Sequence, residues 1–184
     1  MHYHCEVWVP VNKNIEEQLT AFMAPYYKGN ECDSNSNGDY FWDWYQIGGR
    51  WKGKHVSDYD PNSDPEHVVT CYMCNGTGHR PDIDPKEKEL VNVCNVCCGN
   101  GVQILWPTGW EPHPKDVIPI SEIPDGFDCY TLVLPNKVLH REEYHPKAKE
   151  KFQPSPVFPK GNVNTALADN GVTNGFLVTV DYHC

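Results

Sequence analysis

Two cysteine pairs with matching surroundings are the residues of this chain best suited to chemistry. Residues 71–78 and 94–101 both follow the pattern Cys-x-x-Cys-x-Gly-x-Gly. Two thiolates at this spacing can bind one metal ion if the chain turns tightly after them, and glycine permits such a turn because it accepts positive φ. Four thiolates supply the tetrahedron that Zn²⁺ prefers. We therefore predict one structural zinc ion with no coordination position open to water, held by Cys71, Cys74, Cys94 and Cys97.

Other uses of paired cysteines fit this pattern less well. A redox-active dithiol and an iron or iron–sulfur site are the alternatives, but the repeated glycines favour zinc, and the helix that accompanies a thioredoxin-type motif is missing. Cys98 directly follows Cys97, so we expect it to point away from the metal. The chain has nine cysteines, an odd number, and its start does not read as a secretory signal, which argues against a disulfide scaffold.

The two repeats resemble those of the DnaJ-type zinc-finger domain, which contains four such repeats and two zinc ions. The resemblance covers residues 70–104 and implies a zinc-stabilised hairpin. The length of the chain fits one domain, residues 1–184, into which this hairpin is inserted. Co-chaperone activity is not implied, because the chain has no His-Pro-Asp motif of a J-domain.

A second unusual segment, Trp42–Trp51, is dense in aromatic residues and contains two glycines followed by an arginine. Aromatic rings stack on a nucleobase, and a guanidinium group binds a carboxylate or phosphate. The predicted ligand-binding residues are Asp43, Trp44, Arg50 and Trp51. In the alternative interpretation the segment is structural: Asp43 pairs with Arg50, the tryptophans fill the core and the glycines form a tight turn.

Residues 43–51 together with both ends of the chain resemble a family of uncharacterised small proteins from bacteriophages and actinobacteria. These proteins have the core Asp-Trp-Tyr-x-Ile-Gly-Gly-Arg-Trp, a first strand rich in His and Tyr, and a last strand with Val-Asp-x-His. The corresponding ends here are residues 2–4 and 180–183. The resemblance implies a viral or virus-derived origin and assigns no activity.

The two ends also carry a candidate site of their own. If the first and last strands pair, His2, His4, Asp181 and His183 lie close together. Such a group of side chains can bind a second metal ion or act as acid and base. The alternative is a set of ordinary polar residues on a half-solvated face of a sheet.

The elements that must position these residues predict an α+β fold with a small antiparallel or mixed sheet. Residues 2–9 and 175–183 alternate as strands do, and 128–134 with 138–140 predict a hairpin through the turn 135–137. One main helix is predicted over 15–24, capped by Asn14 with Glu17 and ended by Pro25, and a short one over 165–169. We expect the helix on one side of the sheet, and the order allows a ferredoxin-like topology. Irregular segments are predicted at 28–39, 57–66, 106–126 and 142–161.

The formal net charge of −10 bears on the choice of partner. It repels phosphate backbones, so nucleic-acid binding is disfavoured, whereas an acidic protein can dock on a basic surface. The predicted hairpin has no net basic face, since Arg80, Lys86 and Lys88 are outnumbered by Asp82, Asp84, Glu87 and Glu89. The alternative is that the charge serves solubility alone. Because the chain lacks an apolar run of about 18 residues, nothing is expected to span a membrane, and we expect a cytoplasmic protein, in the host cytoplasm if it is viral.

Two functional hypotheses follow. The first is a zinc-stabilised, acidic, phage-type accessory protein that binds a host or viral protein and inhibits a host defence or nucleic-acid enzyme. The second is an enzyme or binding protein for a nucleotide-like small molecule that uses the segment Trp42–Trp51. The sequence favours the first, because it contains no nucleophile elbow, P-loop, zincin or dinucleotide-binding motif.

Overall fold

The computed structural model of the chain describes residues 1–30, 40–83, 92–141 and 157–184. The chain divides into two compact units, one formed by residues 1–59 and 111–184 and the other by residues 60–110. We call them the sheet unit and the cysteine unit. The cysteine unit contains the predicted hairpin, apart from residues 84–91, which lie outside the described residues. The prediction of one domain with an insert at 70–104 stays a prediction.

Two α-helices and nine strands are found in the described ranges. They are β1 His2–Val9, α1 Ile15–Met23, β2 Trp44–Ile47, β3 Val68–Thr70, β4 Val102–Ile104, β5 Val117–Pro119, β6 Thr131–Leu134, β7 Lys137–Arg141, β8 Val157–Phe158, α2 Val163–Asp169 and β9 Phe176–His183. None of these helices is both long and apolar enough to cross a bilayer.

The sheet unit is built on a mixed sheet, which confirms the predicted α+β class. The strand order is β2-β9-β1-β6-β7-β8, and β5 also pairs with β9. The pairs β1–β6 and β7–β8 are parallel, and the other pairs are antiparallel. In the split β-α-β unit of a ferredoxin-like fold another strand separates the two parallel strands. Here β1 and β6 are direct neighbours, so the ferredoxin-like topology is wrong.

The two helices lie on opposite faces of the sheet. Leu19 and Met23 of α1 pack with Val133 and Val178, whereas Leu167 of α2 packs on the opposite face. Leu167 shares a core cluster with Leu132, Leu134 and Leu177. These residues alternate along β6 and β9 with Val133 and Val178, so they lie on the other face of the sheet. The expectation of a helix on one side only is therefore wrong. The predicted apolar row of β9, Phe176, Val178, Val180 and Tyr182, faces α1 as a group.

Local signals predicted the start of α1 at Ile15 and its end to within one residue, but not the conformation of the residue before it. α1 ends at Met23, and Pro25 lies in the 3₁₀ turn Ala24–Tyr26 that follows. Asn14 does not cap the helix: it adopts φ 49° and ψ 46°, and its Nδ2 donates to Glu17 Oε2 at 3.5 Å. In that left-handed conformation the side chain does not accept a hydrogen bond from the first turn. The second helix begins two residues before the predicted Thr165.

Candidate metal centre and polar face of the sheet

The four predicted zinc ligands lie together in the cysteine unit. Cys71 and Cys94 are completely buried, and Cys74 and Cys97 nearly so. Their four Sγ atoms all lie within 4.8 Å of one another, and in the part of the chain that the structure describes this is the one such group of three or more candidate metal ligands. The short antiparallel strands β3 and β4 bring the two cysteine segments together. Thr70, the residue before Cys71, pairs with Val102, the residue that directly follows the second cysteine motif.

Each cysteine pair forms a tight knuckle, and the two knuckles mirror each other. The backbone N–H of Gly78 donates to Cys74 Sγ, and that of Gly101 donates to Cys97 Sγ, both at 3.3 Å. The knuckles are joined by hydrogen bonds between backbones. Cys71 N–H donates to the Gly101 carbonyl and Cys94 N–H to the Gly78 carbonyl, each at 2.9 Å. Amides that point at sulfur stabilise thiolates, so the backbone is arranged for a negatively charged sulfur cluster.

The last glycine of each motif is required by a close approach of the two knuckles. Gly78 and Gly101 both have φ of 74°. A Cβ at Gly78 would lie 2.3 Å from the Gly99 carbonyl oxygen, and one at Gly101 would lie 2.3 Å from the Gly76 carbonyl oxygen. Any side chain at either position would therefore force the knuckles apart, which explains the glycine at the end of each repeat.

The sulfur geometry fits a tetrahedral metal ion. Four sulfurs placed about 2.3 Å from a central zinc ion are about 3.8 Å from one another. Cys71 Sγ lies 3.8 Å from Cys94 Sγ, and Cys74 Sγ lies 3.7 Å from Cys97 Sγ. These sulfurs are free rather than bonded as disulfides. The four cysteines could hold a metal ion, and the donor set fits zinc.

The electrostatics of the cluster also call for a cation. Burial raises the pKa of the Cys97 thiol to about 11, and the adjacent thiols of Cys94 and Cys74 add to the rise. Burial likewise opposes ionisation of Cys74, but hydrogen bonds from the Gly78 and Gly76 N–H groups and from the thiols of Cys71 and Cys97 together outweigh it and lower the pKa of the Cys74 thiol to about 6. Four thiolates packed this closely repel one another, so full ionisation requires a bound cation, and metal binding would release protons. Cys98 is exposed and lies outside the group of four clustered cysteines.

A second group of candidate residues lies on the face of the sheet that α2 also contacts. Rows of polar side chains cross the neighbouring strands β2, β9 and β1 at its end, and we call this area the polar face. Its rows are Trp44–His183–His2, then Gln46–Asp181–His4, then Thr179–Glu6. The structure thus brings His2, His4, Asp181 and His183 together. We call the second and third of these rows the inner rows. They are not half-solvated as the alternative expected, because Glu6, Thr179 and Asp181 are fully buried.

Glu6 is the centre of the buried part. Its Oε1 contacts His4 Nε2 at 2.7 Å and accepts a hydrogen bond from Thr179 Oγ1 at 3.0 Å. Its Oε2 contacts His55 Nε2 at 3.3 Å. Burial alone would raise the pKa of Glu6, but the two histidines outweigh it and lower the pKa to about 2. Glu6 is therefore a permanently ionised carboxylate at neutral pH, which burial tolerates only because it is paired.

A turn after β2 covers the inner rows. The Arg50 backbone N–H donates to Asp181 Oδ2 at 3.1 Å, and the Trp51 ring stacks on His4 with centroids 5.7 Å apart. Gly49 has φ of 55°, and a Cβ there would lie 2.5 Å from the Asp181 Cβ. The Gly-Gly-Arg-Trp sequence is thus needed to bring backbone and one indole ring onto the polar face.

Asp116 forms hydrogen bonds with the backbone at the end of this turn, and it was not predicted as a site residue. It is buried and accepts hydrogen bonds from the backbone N–H groups of Gly53 at 2.6 Å and His113 at 2.8 Å. Burial raises the pKa of its carboxyl to about 6, against the lowering effect of those two N–H groups. Sequence reasoning also missed Glu6 and His55. Only Glu6 left a signal, as a charged residue in the polar row of the first strand.

The remaining row of the polar face, Trp44–His183–His2, is the outer row, and it is accessible to solvent. His2 Nδ1 contacts Asp181 Oδ1 at 2.9 Å, and His183 Nδ1 contacts Asp43 Oδ1 at 2.8 Å. The hydrogen bond from His183 lowers the pKa of Asp43 below its usual value. The two imidazole rings lie 5.4 Å apart, and the Trp44 ring lies 6.0 Å from His2. This row contains two histidines that are each anchored by a carboxylate.

The four predicted ligand-binding residues have different surroundings. Asp43 bonds His183 and not Arg50, so the ion pair of the structural alternative is wrong. Trp44 is 38% exposed beside the outer row, whereas Trp51 covers the inner one. The Arg50 side chain is exposed. Two surface cavities of the protein, one beside Pro135–Lys137 and one beside Asn14–Glu17, are lined by none of these four residues.

Comparison with models of known families, with curated proteins and with solved structures finds no match.

The function must therefore be argued from the geometry of the two groups of residues. The cysteine unit supplies a buried set of four metal ligands. The sheet unit supplies a polar face with a buried interior centred on the ionised Glu6 and an accessible outer row.

Proposed function

We propose that this chain is a zinc-stabilised protein that binds a partner protein through its cysteine unit. The observation that carries the first half is the set of four buried sulfurs within 4.8 Å of one another, of which two pairs lie at the spacing of a tetrahedral zinc site. All four positions are filled by protein, so the zinc ion has no open site for a reacting molecule and serves to hold the fold of residues 60–110.

The second half is supported by the apolar side chains that the cysteine unit exposes. Val68 and Ile104 face each other across β3 and β4 and are 40% and 45% exposed, and the nearby Trp106 is 75% exposed. Further exposed apolar residues of the same unit are Tyr72, Met73, Val93, Val102 and Leu105. The described residues of this unit include eight such side chains, more than solubility favours, and exposed apolar surface of this kind is typical of protein interaction sites.

The charge of the cysteine unit indicates what kind of partner fits. Residues 60–110 include seven acidic and three basic side chains, a net charge of −4 before any metal is bound. A zinc ion with four thiolates adds about −2. A partner surface that combines basic and apolar residues is complementary to this surface, whereas nucleic acid is not.

The experiment compares retention of proteins by four purified versions of the full chain. Ile104→Thr with Trp106→Ala removes apolar surface while keeping a β-branched residue in β4. Val11→Thr is the matched control, because Val11 is 50% exposed in the sheet unit. Cys94→Ser removes a metal ligand. A partner that fits the proposal binds the wild type and the control, fails to bind the other two, and is released by salt.

Purified partner must then reproduce this pattern in a direct titration. A protein that binds the Ile104→Thr/Trp106→Ala variant as tightly as the wild type would contradict the assignment of the surface. The narrower hypothesis, a phage-type accessory protein that inhibits a host defence or nucleic-acid enzyme, rests on the sequence resemblance of residues 43–51 and of the chain ends. A basic nucleic-acid enzyme or defence enzyme as the partner would support it.

A second candidate function is binding of a nucleotide-like small molecule by the segment Trp42–Trp51. It is favoured by the contact between Asp43 and His183 and by the exposed indole of Trp44. Thermal stabilisation of the wild type by nucleotides, lost in Trp44→Ala, would support it. Equal stabilisation of both would argue against a role for this segment.

A further inference from the structure

The outer row of the polar face places two histidines at a position where their rings can approach closely. Met1 and Cys184 exchange two backbone hydrogen bonds, Met1 N to Cys184 O at 2.6 Å and Cys184 N to Met1 O at 3.0 Å. The next pair along the antiparallel strands, His2 and His183, is therefore a non-hydrogen-bonded pair. In such pairs the Cα atoms are about 4.5 Å apart and the side chains are nearest to each other.

Both imidazoles are held in the orientation that metal-binding histidines have in proteins. A histidine that binds a metal through one ring nitrogen donates the N–H of the other nitrogen to a carboxylate or carbonyl. Here Nδ1 of His2 is bonded to Asp181 and Nδ1 of His183 to Asp43. Because a carboxylate accepts hydrogen bonds, the neutral form of each ring carries its proton on Nδ1 and a lone pair on Nε2. Within the described residues, neither Nε2 has a hydrogen-bond partner.

The two carboxylates are themselves fixed by the fold. Asp181 is fully buried, and its second oxygen accepts the Arg50 backbone N–H. The backbone N–H of Asp43 donates to the His183 carbonyl at 3.0 Å, which ties the residue to the strand it serves. The Trp44 ring lies edge-on to His2, with ring centroids 6.0 Å apart. The arrangement thus has two ligand atoms, two orienting carboxylates and a rigid support, which is more than a surface histidine pair requires.

The local charge does not oppose a cation, because two carboxylates balance the two basic groups nearby. Asp43 and Asp181 each contribute a carboxylate, and the basic groups that act on Asp43 are Lys28 and the amino terminus. The net charge of −10 adds a favourable long-range field. Imidazole nitrogen suits the borderline ions Zn²⁺, Ni²⁺ and Cu²⁺, and not Mg²⁺ or Ca²⁺.

We propose that His2 and His183 bind one divalent transition-metal ion through their Nε2 atoms, at a site distinct from the four-cysteine centre. Two protein ligands leave the remaining coordination positions to water or to a small anion. The site is therefore open, in contrast to the closed cysteine site, and it can recruit an anionic group to the outer row of the polar face.

The test uses the full chain loaded with zinc at its cysteine site and titrated with Ni²⁺ in a calorimeter. One Ni²⁺ per chain is expected in addition to the zinc, and it should broaden the imidazole proton resonances of His2 and His183. Binding should be lost in His2→Gln and in His183→Gln. His79→Gln is the matched control, since His79 is an exposed histidine of the cysteine unit, and it should bind as the wild type does.

Asp43→Asn is a further variant, and it should leave the core folded because Asp43 is exposed. It should weaken Ni²⁺ binding by about 10- to 100-fold, as expected for loss of an orienting carboxylate. Absence of Ni²⁺ binding by the zinc-loaded wild type would overturn the proposal. So would binding that survives His183→Gln, because the ion would then be held by His2 with the chain's amino terminus. Neither result depends on whether a protein partner exists.

Discussion

The close approach of the two cysteine knuckles leads to a prediction that separates two roles of glycine. Gly99 and Gly101 belong to the same knuckle and both have positive φ, 89° and 74°. They differ in what a Cβ would meet. At Gly99 the nearest atom is the Val93 Cγ1 methyl at 3.3 Å, whereas at Gly101 it is the Gly76 carbonyl oxygen at 2.3 Å. The two alanine variants therefore have the same backbone cost, that of positive φ, and differ in the steric cost of the added Cβ.

The magnitude follows from these two terms. A non-glycine residue in the left-handed region costs about 1–2 kcal/mol, which applies to both alanine variants. The Val93 side chain can yield at its flexible end, so Gly99→Ala should cost little more than this. The Gly76 carbonyl is backbone, and forcing the knuckles apart there is an overpacking cost of about 1–3 kcal/mol. Gly101→Ala should thus cost about 1–3 kcal/mol more than Gly99→Ala.

The assay is competition for zinc between each variant and a chelator of known affinity. A metal site of this kind folds with its ion, so strain in the folded knuckles appears as weaker zinc binding. The expected ratio of dissociation constants, Gly101→Ala over Gly99→Ala, is about 5- to 150-fold. The mirrored pair supplies a repeat of the measurement: Gly78→Ala should bind zinc more weakly than Gly76→Ala, because Gly78 has the same close carbonyl and Gly76 only the Thr70 methyl at 3.3 Å.

Equal zinc affinity of Gly101→Ala and Gly99→Ala would refute this reasoning. It would mean that the two knuckles do not approach each other as closely as the geometry requires. Far-UV circular dichroism of both variants serves as a control, because the sheet unit should give the same signal in each.

Two further predictions concern the polar face. Glu6 has a pKa of about 2 in the folded chain and an ordinary value of 4.5, so its ionised form stabilises the fold by about 3 kcal/mol above pH 4.5, and this is lost as the pH falls toward 2. The difference in unfolding free energy between wild type and Glu6→Gln, measured with urea, should shrink over that range; a constant difference would contradict the pairing of Glu6 with His4 and His55. Arg50→Ala should change the unfolding free energy by less than about 0.5 kcal/mol, because its backbone N–H and not its exposed side chain contacts Asp181; a loss of several kcal/mol in the same assay would show that the guanidinium is structural.

Residues with a strong local signal were predicted correctly from the sequence. The repeated Cys-x-x-Cys-x-Gly-x-Gly pattern identifies the cysteines that the fold brings together, because ligand spacing and turn glycines are local properties. Alternation located β1 and β9, since a strand with one apolar face keeps a period of two. The apolar spacing from Ile15 located α1 for the same kind of reason.

Features that depend on distant parts of the chain were missed. β2 and β5 both pair with β9, along different parts of its length, and each is only three or four residues long. Segments so short carry too little periodicity to be recognised, and their stability comes from the partner strand. The pairing of Asp43 with His183 and the burial of Glu6 under a turn some forty residues away likewise depend on tertiary contacts that no local pattern encodes.

The central claim, one zinc ion held by four cysteines, is tested most directly by the metal content of the purified full chain. Elemental analysis should find one zinc per chain in the wild type and in Cys98→Ser, since Cys98 is exposed and outside the cluster. Cys94→Ser should contain almost none, because it lacks one of the four buried sulfurs. A wild type that contains iron or no metal, or a Cys94→Ser variant that retains a full equivalent of zinc, would contradict the account.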